Sequence, residues 1–311
     1  MNAESLLVLE QHLLSALSSP PQEIRRLFHG RGRCWPGLEQ LTVDWLHGQL
    51  LVSLFKEPEP ECLSELKSVL FRITESGQWQ SSGAVSMLLH HRDREGSPLE
   101  CLWGALNDYP QVQESGLNYQ LDLGRKQNNG LFLDMRNGRQ WVQENAKDQK
   151  VLNLFAYTCG FSVAAMAGGA DSVVNLDMAR AALERGRENH RLNDHDLNQV
   201  RFLGHDLFKS WGKVRKLGPY DLIIIDPPTF QKGSFALTRD YRKILRRLPE
   251  LLTEEGQVLA CVNDPHLTSD FLIDEMKEEA PELKFMERLP NPPEFADIHP
   301  ESSLKALVFK R

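Results

Sequence analysis

Residues 222–230 have the sequence Leu222-Ile223-Ile224-Ile225-Asp226-Pro227-Pro228-Thr229-Phe230. The short run of apolar, mostly β-branched residues predicts a buried strand of a parallel sheet. The acid, the two prolines and the aromatic follow at the carboxyl end of that strand, where open α/β sheets bind their ligands. Neither proline donates a backbone N–H and each fixes its φ angle, so the loop is stiff. It favours a site for a flat polar group such as a nucleobase, with a strand-ending turn of no chemical function as the alternative.

Strands and helices alternate beyond residue 148. The predicted strands are residues 151–155, 172–176, 200–203, 220–225 and 257–262, and the predicted helices are residues 161–167, 181–192, 239–251 and 268–279. This alternation predicts an α/β fold with a doubly wound, mostly parallel sheet. Residues 283–289 and 304–309 are two further strands with only a proline-rich segment between them, which predicts a C-terminal antiparallel hairpin.

The amino-terminal part has a different pattern. Leu6, Leu9, Leu13 and Leu17 recur at helical spacing, and residues 41–45 and 49–55 form a strand pair across a short turn. A helix is predicted at 61–74, a strand at 116–123 and a polar loop at 124–130. We therefore predict a smaller α+β domain at residues 1–115 and a Rossmann-like domain at residues 116–311.

Composition limits the class of protein. The chain has 311 residues, of which 41% are hydrophobic and 25% charged, as in an ordinary soluble globular protein. The amino terminus lacks the basic region of a signal peptide, so we expect a cytoplasmic protein that does not contact a membrane. The five cysteines include no C-x-x-C pair, which argues against a disulfide scaffold and a zinc site, and we expect no metal. The net charge of −7 means that binding to nucleic acid would require local basic patches.

The segments after the next strands suggest a nucleoside-type ligand. Only Gly160 is present in the first turn, where a pyrophosphate would require a G-x-G-x-x-G pattern. Asp177 ends the second strand, the usual position of an acid that binds a ribose, and Asp206 ends the third, where it can accept a hydrogen bond from an adenine amino group. Together they predict an adenosine that carries an amino-acid tail and no phosphates. Each acid alone has the alternative interpretation of a helix cap or a loop residue.

Residues 130–263 resemble a class I S-adenosylmethionine-dependent methyltransferase, and more narrowly the large-subunit ribosomal RNA methyltransferases I and K. The matching residues are Gly130-Leu131-Phe132-Leu133-Asp134-Met135-Arg136, Asn153-Leu154-Phe155-Ala156-Tyr157-Thr158-Cys159-Gly160-Phe161, Gly168-Gly169-Ala170, Asp177-Met178, Asn189, Leu192-Asn193, Asp206 and Asp226-Pro227-Pro228-Thr229-Phe230, with His299-Pro300-Glu301 before the last strand. Residues 27–55 resemble the middle domain of those enzymes.

This resemblance implies that S-adenosyl-L-methionine is the cofactor. The implied cofactor-binding residues are Phe132 and Arg136 at the methionine end, Asn153, Phe155, Tyr157 and Gly160 at the first turn, Asp177 and Met178 at the ribose, Asp206 and Leu207 at the adenine, and Asp226 at the floor of the site. The implied catalytic residues are Asp226, Pro227, Pro228 and Phe230. There are two departures: Cys159 stands where relatives commonly have glycine, and the RNA-binding PUA module of the I-type enzymes has no counterpart.

The atom that receives the methyl group is a separate question. Cytosine C5 is a poor nucleophile, so enzymes that methylate it first add a cysteine thiolate to the ring. In the I-type enzymes this cysteine follows the fifth strand, at the position that Asn263 occupies here. Cys261 shares a strand face with that position and remains an alternative, although a buried cysteine often acts as a small hydrophobe. Asn263 and the Thr229-Phe230 pair resemble the K-type, guanine-N7 enzymes, so we expect a base nitrogen to be methylated.

The expected partner is RNA, in particular ribosomal RNA. The residues that could contact it are Arg25, Arg26, His29, Arg31 and Arg33 in the first domain, and Arg239, Arg242, Lys243, Arg246 and Arg247 in the second, with Phe235 and Tyr241 as stacking residues. For the basic residues, the alternative is a hydrated surface that contacts no RNA. For Phe235 and Tyr241, the alternative is a place in the core. The same fold could also methylate a small molecule or a protein side chain, or bind a nucleotide without catalysis. The oligomeric state is open, a homodimer included.

Overall fold

The computed structural model describes residues 1–123, 128–231 and 235–311, with the backbone alone at Phe230 and Gln231. Internal contacts divide the chain into a first unit, Met1–Leu133 with Pro293–Pro300, and a second unit, Asp134–Pro292 with Glu301–Arg311. The first unit continues beyond residue 116, the boundary that the sequence predicts. The reason is that Leu117–Gln120 pairs with Gln111–Glu114, and Ile24 N–H donates to Gln113 O at 2.9 Å, so the strand pair belongs to the first unit.

The first unit is an α+β structure, as predicted. Its strands are β1 (Arg25–His29), β2 (Leu41–Leu46), β3 (Gln49–Leu54), β4 (Ser86–His91), β5 (Leu99–Gly104), β6 (Gln111–Glu114) and β7 (Leu117–Gln120). Its helices are α1 (Ala3–Leu17), α2 (Pro60–Glu75) and α3 (Gly77–Ser82). Strands β1 to β5 form one sheet in sequence order, in which β3 and β4 are parallel and the other neighbours antiparallel.

Local sequence explains two of these elements. Asn2 caps α1, since its side chain accepts a hydrogen bond from Ser5 N–H at 2.9 Å. The four leucines that predict this helix are buried in the core of the unit. The turn between β2 and β3 has positive φ angles at His47 and Gly48, as a two-residue hairpin turn with the twist of the strands requires.

The second unit contains the doubly wound sheet. Its strands are β8 (Lys150–Leu154), β9 (Ser172–Asp177), β10 (Val200–Gly204), β11 (Tyr220–Ile225), β12 (Phe230–Gln231), β13 (Phe235–Ala236), β14 (Leu252–Val262), β15 (Lys284–Leu289) and β16 (Lys305–Lys310). Its helices are α4 (Arg136–Asn145), α5 (Gly160–Ala167), α6 (Arg180–Arg191), α7 (Trp211–Leu217), α8 (Leu237–Leu245), α9 (Leu248–Leu251) and α10 (Ser269–Glu279).

The order of the sheet, β10-β9-β8-β11-β14-β16-β15, confirms the predicted fold class. The first five strands are parallel, and β16 is antiparallel to both of its neighbours, as the predicted hairpin requires. The strand order reverses between β8 and β11, which is where a doubly wound sheet forms its ligand crevice. The helix predicted at residues 239–251 is divided into α8 and α9, because Pro249 cannot continue the hydrogen-bond ladder of α8.

The two faces of this sheet pack different layers. Residues of β8 and β11 such as Leu152, Leu154, Ile223 and Ile225 share a core with residues of α8 and α10. The alternate residues Asn153 and Asn175 face the side of α5, where Asn175 Nδ2 donates to Ser162 Oγ at 2.9 Å. Among the described residues, no helix is both long and apolar enough to cross a membrane.

Candidate functional site

A cleft lies at the carboxyl ends of β8, β9 and β10. It is lined by Phe155, Leu176, Asp177, Met178, His205, Asp206, Leu207, Phe208 and Phe235. The strand register explains why these residues meet, because Leu154 pairs with Leu176, and Asp177 pairs with Gly204. Five residues that the family resemblance implies for the cofactor therefore line one cleft: Phe155, Asp177, Met178, Asp206 and Leu207.

The turn between β8 and α5 has an unusual backbone. Phe155, Tyr157 and Cys159 have φ angles of 57°, 47° and 62°, the left-handed region that costs a non-glycine residue about 1 kcal/mol or more. Hydrogen bonds hold the turn, since Ala156 N–H donates to Leu176 O at 3.1 Å and Cys159 N–H donates to Ala156 O at 2.7 Å. The left-handed backbone at Cys159 is one that glycine would adopt without a steric cost. Gly160 follows as the first residue of α5.

Asp177 joins this turn to β9. Its Oδ2 accepts a hydrogen bond from Tyr157 N–H at 2.8 Å, and its Oδ1 accepts one from Ala179 N–H at 2.7 Å. Burial raises the pKa of this carboxyl, and the two backbone donors act in the opposite direction. Each oxygen keeps a further lone pair. The carboxylate is thus fixed in orientation and can accept hydrogen bonds from a diol.

Asp206 and its neighbours form the next part of the cleft. Asp206 Oδ1 accepts a hydrogen bond from Phe208 N–H at 2.9 Å and caps the short helix Leu207–Lys209, and contact of its carboxylate with an adenine stays a prediction. The rings of Phe208 and Phe235 are stacked with their centroids 6.4 Å apart, and the ring of Phe155 packs against Phe235 at 5.1 Å. Carboxylates at the rim and aromatic rings below suit a flat ring with polar edges.

Asn153 has a different environment from the cleft residues. It is buried, and its amide donates to Asn175 Oδ1 at 2.9 Å. This pair continues through Ser162 to His190, whose Nε2 lies 2.9 Å from Ser162 Oγ. The structure therefore gives Asn153 a place in a buried polar network, and contact of its side chain with a cofactor stays a prediction.

The Asp226-Pro227-Pro228 loop follows β11. Because Ile225 pairs with Leu154, Asp226 and Phe155 are the next residues of two neighbouring parallel strands. Asp226 is partly buried, and its pKa is raised to about 7, first by burial and second by the charge of Asp134, while Arg139 acts to lower it. The neutral form of the Asp226 carboxyl is therefore favoured up to a higher pH than that of an ordinary aspartate.

Further along this loop, Pro227 is buried and Pro228 is exposed. The Thr229 hydroxyl donates to Asn263 O at 3.1 Å and so ties the loop to the end of β14. The Phe230 backbone pairs with Ala236, but the Phe230 side chain lies outside the described part of the chain, and its stacking role stays a prediction.

The two residues predicted at the methionine end of the cofactor belong to different units. Phe132 is in the first unit and is 42% exposed. Arg136 is the first residue of α4 in the second unit. Both assignments stay predictions.

Tyr241 and Cys261 are buried, as the interpretation of both as core residues requires. The Tyr241 hydroxyl donates to Cys261 O at 3.1 Å, with Ile225 O 3.4 Å away, and so joins the ends of β11 and β14. Burial raises the pKa of the Cys261 thiol well above its ordinary value, and the nearby carboxyls of Asp226 and Asp134 add to the effect. Phe235 is also buried, although its ring contributes to the cleft.

The basic residues near α8 form ion pairs within the second unit. Their partners are carboxylates: Arg239 and Lys243 with Asp240, Arg242 with Glu275, Arg246 with Glu279, and Arg247 with Glu250. Most of the pairs link α8 to α10 or to a neighbouring residue of the same helix. Their charge is therefore compensated internally, as expected for a hydrated helix face.

Three residues of the site are not among those to which the sequence assigns a role. Asp134 and Arg139 act on the pKa of Asp226, and Phe208 lines the cleft. Arg139 is 5% exposed, and a buried arginine in a short polar helix has no local sequence signal. Phe208 could have been found as the residue that follows Asp206-Leu207. Within the described ranges, no group of three histidine, cysteine or acidic residues is arranged to hold a metal ion.

Comparisons with known proteins agree with this geometry. A protein of Aeromonas salmonicida named Ribosomal RNA large subunit methyltransferase I is 36% identical over 48% of this chain and 38% of its own length. The protein of that name from Tolumonas auensis is 33% identical over 64% of this chain and 53% of its own. The chain thus spans about half the length of these curated relatives or less.

A solved structure from Streptococcus mutans, provisionally described as a SAM-dependent methyltransferase, has the same fold. It superposes with a TM-score of 0.86 over 99% of this chain and 81% of its own, at 22% identity. The family model described as S-adenosylmethionine-dependent methyltransferase matches residues 25–310, which is almost the whole sequence. The chain therefore belongs to the family of S-adenosylmethionine-dependent methyltransferases.

Proposed function

We propose that the protein transfers a methyl group from S-adenosyl-L-methionine to a base of large-subunit ribosomal RNA, and that the acceptor is a guanine nitrogen. The observation that carries the proposal is the register that brings Phe155, Asp177 and Asp226 to one rim of the sheet. The names of the relatives support the substrate class. A ribosomal substrate also fits a cytoplasmic location.

The residues of the cleft fit the cofactor. Asp177 has two carboxylate oxygens fixed by Tyr157 and Ala179, and a ribose diol can donate to both. The aromatic floor of Phe208 and Phe235 suits the adenine ring, whose amino group can donate to Asp206. The bound cofactor would supply an electrophilic methyl group on a sulfonium.

The Asp226 loop would orient the acceptor base. Methyl transfer requires the acceptor lone pair to lie in line with the bond from sulfur to the methyl carbon, so positioning is the main task of the protein. The rigid prolines and the Thr229 hydrogen bond to Asn263 O support a loop that keeps one geometry. A carboxyl with a pKa of about 7 can also donate to, or accept from, the edge of a base.

A nitrogen acceptor is favoured over cytosine C5 by the state of the cysteines. The two cysteines of the second unit, Cys159 and Cys261, are buried, and burial raises the pKa of both thiols. The thiolate is the nucleophilic form of cysteine, and a raised pKa disfavours it. Neither cysteine is therefore suited to add to a pyrimidine ring.

Mass spectrometry of ribosomal RNA tests the proposal. RNA from a strain that lacks the protein should miss one methylated base, and the purified protein should restore it with S-adenosyl-L-methionine. The Asp226→Asn variant should not restore it. The proposal is wrong if ribosomal RNA of the deletion strain is fully methylated and the purified protein instead methylates a small molecule or a protein side chain. The substrate would then belong to that class.

A further inference from the structure

Three strands of the first unit end at the same edge of its sheet. Strand β1 is antiparallel to β2, which is antiparallel to β3, and β3 is parallel to β4, so β1, β3 and β4 run in one direction. The residues just beyond these three ends are Arg31, Phe55 and Arg92. Strand pairing therefore brings together three residues that are distant in the sequence.

These residues form a stacked group, here called the arginine platform (Arg31, Phe55 and Arg92). The guanidinium carbon of Arg31 lies 4.1 Å from the centroid of the Phe55 ring, and that of Arg92 lies 4.6 Å from it. Arg31 is exposed, and Phe55 and Arg92 are partly exposed. Stacking on the ring fixes the planes of both guanidinium groups, which lowers the entropy cost of binding a ligand.

Charged residues around these strands form contacts within the first unit. Arg92 Nη2 donates a hydrogen bond to Asn128 Oδ1 at 3.2 Å. Glu57 binds Arg94 and also lies 3.1 Å from His91. The other two pairs are Arg26 with Asp44 and Arg33 with Asp297. Arg25, at the start of β1, is near Glu23 at 3.6 Å.

Arg31 and Arg92 also lie close enough to two histidines, the partly buried His29 and the buried His90, to act on their pKa values. The pKa of His29 is lowered to about 4, first by burial and then by the charges of Arg26 and Arg31. The pKa of His90 is also lowered to about 4, by burial and then by the charge of Arg92. Burial is the larger cause for both histidines, and the positive charges of Arg31 and Arg92 add to it.

We propose that the arginine platform is the surface of the first unit that binds the RNA substrate, through backbone phosphates held by Arg31 and Arg92. Guanidinium groups bind phosphate oxygens in pairs, and their planes stack on unpaired bases. The inference rests on the proposed function for its choice of RNA. It gives a protein of net charge −7 a local means of holding a polyanion.

The test measures RNA binding without the cofactor. Fluorescently labelled fragments of large-subunit ribosomal RNA are titrated with the full chain, and anisotropy is followed at several salt concentrations. R31A/R92A should weaken binding at least about tenfold and lower the slope of log K against log salt by about 1 to 2. The matched control K67A/R72A also removes two positive charges from the first unit, from residues paired with Glu100 and Glu10, and should bind as the wild type does.

A second variant separates stacking from charge. R31K/R92K keeps both charges and should keep the salt slope, but it should lose part of the affinity because lysine has no planar group to stack. Calorimetry with S-adenosylhomocysteine checks that the second unit is intact, and circular dichroism checks the first. If R31A/R92A fails to fold, R31K/R92K decides, and wild-type affinity in that variant overturns the proposal.

The outcomes distinguish this inference from the proposed function. If the wild type methylates RNA while R31A/R92A binds RNA as tightly as K67A/R72A, the proposed role of the arginine platform is wrong and the proposed function stands. If RNA binds through Arg31 and Arg92 but receives no methyl group, the RNA-binding role of the arginine platform is supported and the proposed function is wrong. Absence of any RNA binding by the wild type at low salt overturns the platform directly.

Discussion

The side chain of Cys159 packs directly against the backbone of Gly186. A Cβ atom at position 186 would lie 2.3 Å from Cys159 Sγ and 2.8 Å from Cys159 Cβ, which is closer than real contacts allow. Position 159 is the left-handed residue before α5. The chain therefore accommodates a larger side chain at this turn by having no side chain on the facing turn of α6.

This contact predicts a coupled pair of substitutions. Gly186→Ala should lower the free energy of unfolding by about 1–3 kcal/mol, because the core around Cys159 is overpacked. Adding Cys159→Gly should recover part of that loss. Thermal unfolding of both single variants and the double variant gives the coupling energy. Additive losses would show that the two side chains do not compete for the same space.

Asp226→Asn should separate activity from stability. The folded pKa of about 7 lies above the ordinary 3.8, so the folded state binds more protons between these values, and the contribution of Asp226 to stability falls as the pH rises from about 4 to 7. The variant should be more stable than the wild type above pH 7, by at most about 4 kcal/mol, and inactive. Urea unfolding at pH 4 and pH 8 measures the difference. A variant that is less stable than the wild type at pH 8 would contradict this account of the site.

Asp177→Asn should weaken cofactor binding. One oxygen becomes an amide nitrogen that faces the N–H of Tyr157 or of Ala179, so a donor meets a donor. We expect at least a tenfold loss of affinity for S-adenosylhomocysteine by calorimetry. Asp196→Asn is the control, because asparagine caps the short helix after residue 196 as well as aspartate does. Equal affinities in the two variants would remove Asp177 from the ribose site.

The pair His190 and His195 should make the second unit acid-sensitive. Their Nδ1 atoms are 3.0 Å apart, and burial lowers the pKa of both, that of His190 to about 3. Between pH 3 and 6.5 the unfolded chain binds protons that the folded chain does not, so stability is lost as the pH falls below about 6.5. His195→Gln should make unfolding midpoints less dependent on pH between 7 and 5. An unchanged dependence would show that His195 is protonated equally in both states.

Cys261→Ala should retain methyl transfer, since the buried thiol packs in β14 and has a raised pKa. A thiol reagent should modify the exposed Cys34 and Cys101 rapidly in the native protein and reach Cys159 and Cys261 only on unfolding. Loss of turnover in Cys261→Ala with normal cofactor binding would instead indicate a covalent cytosine mechanism.

The sequence predicts the second unit better than the first because the signal of each of its elements is local. Strand β11 is a continuous apolar run, and Asp226 follows at its end, so both the strand and the site can be predicted. In contrast, β4 carries the polar pair His90-His91 in a fully buried position, and β5 is largely exposed, so neither has the alternation of an ordinary strand.

Within the site, the sequence predicts where the acidic residues lie, but it does not predict which side chains pack around them. Asp177 and Asp206 can be located because they directly follow strands. The effect of Asp134 and Arg139 on Asp226 depends on packing between segments that are far apart in sequence, and no spacing rule indicates it.

We expect the methyl donor to lie along the carboxyl rim of the sheet with its reactive carbon toward the Asp226 loop. A crystal structure with S-adenosylhomocysteine tests this most directly. We expect the ribose at Asp177, the adenine between Asp206 and the Phe208 ring, and the sulfur facing Asp226-Pro227-Pro228. A ligand bound elsewhere, or one whose sulfur points away from that loop, would contradict the account.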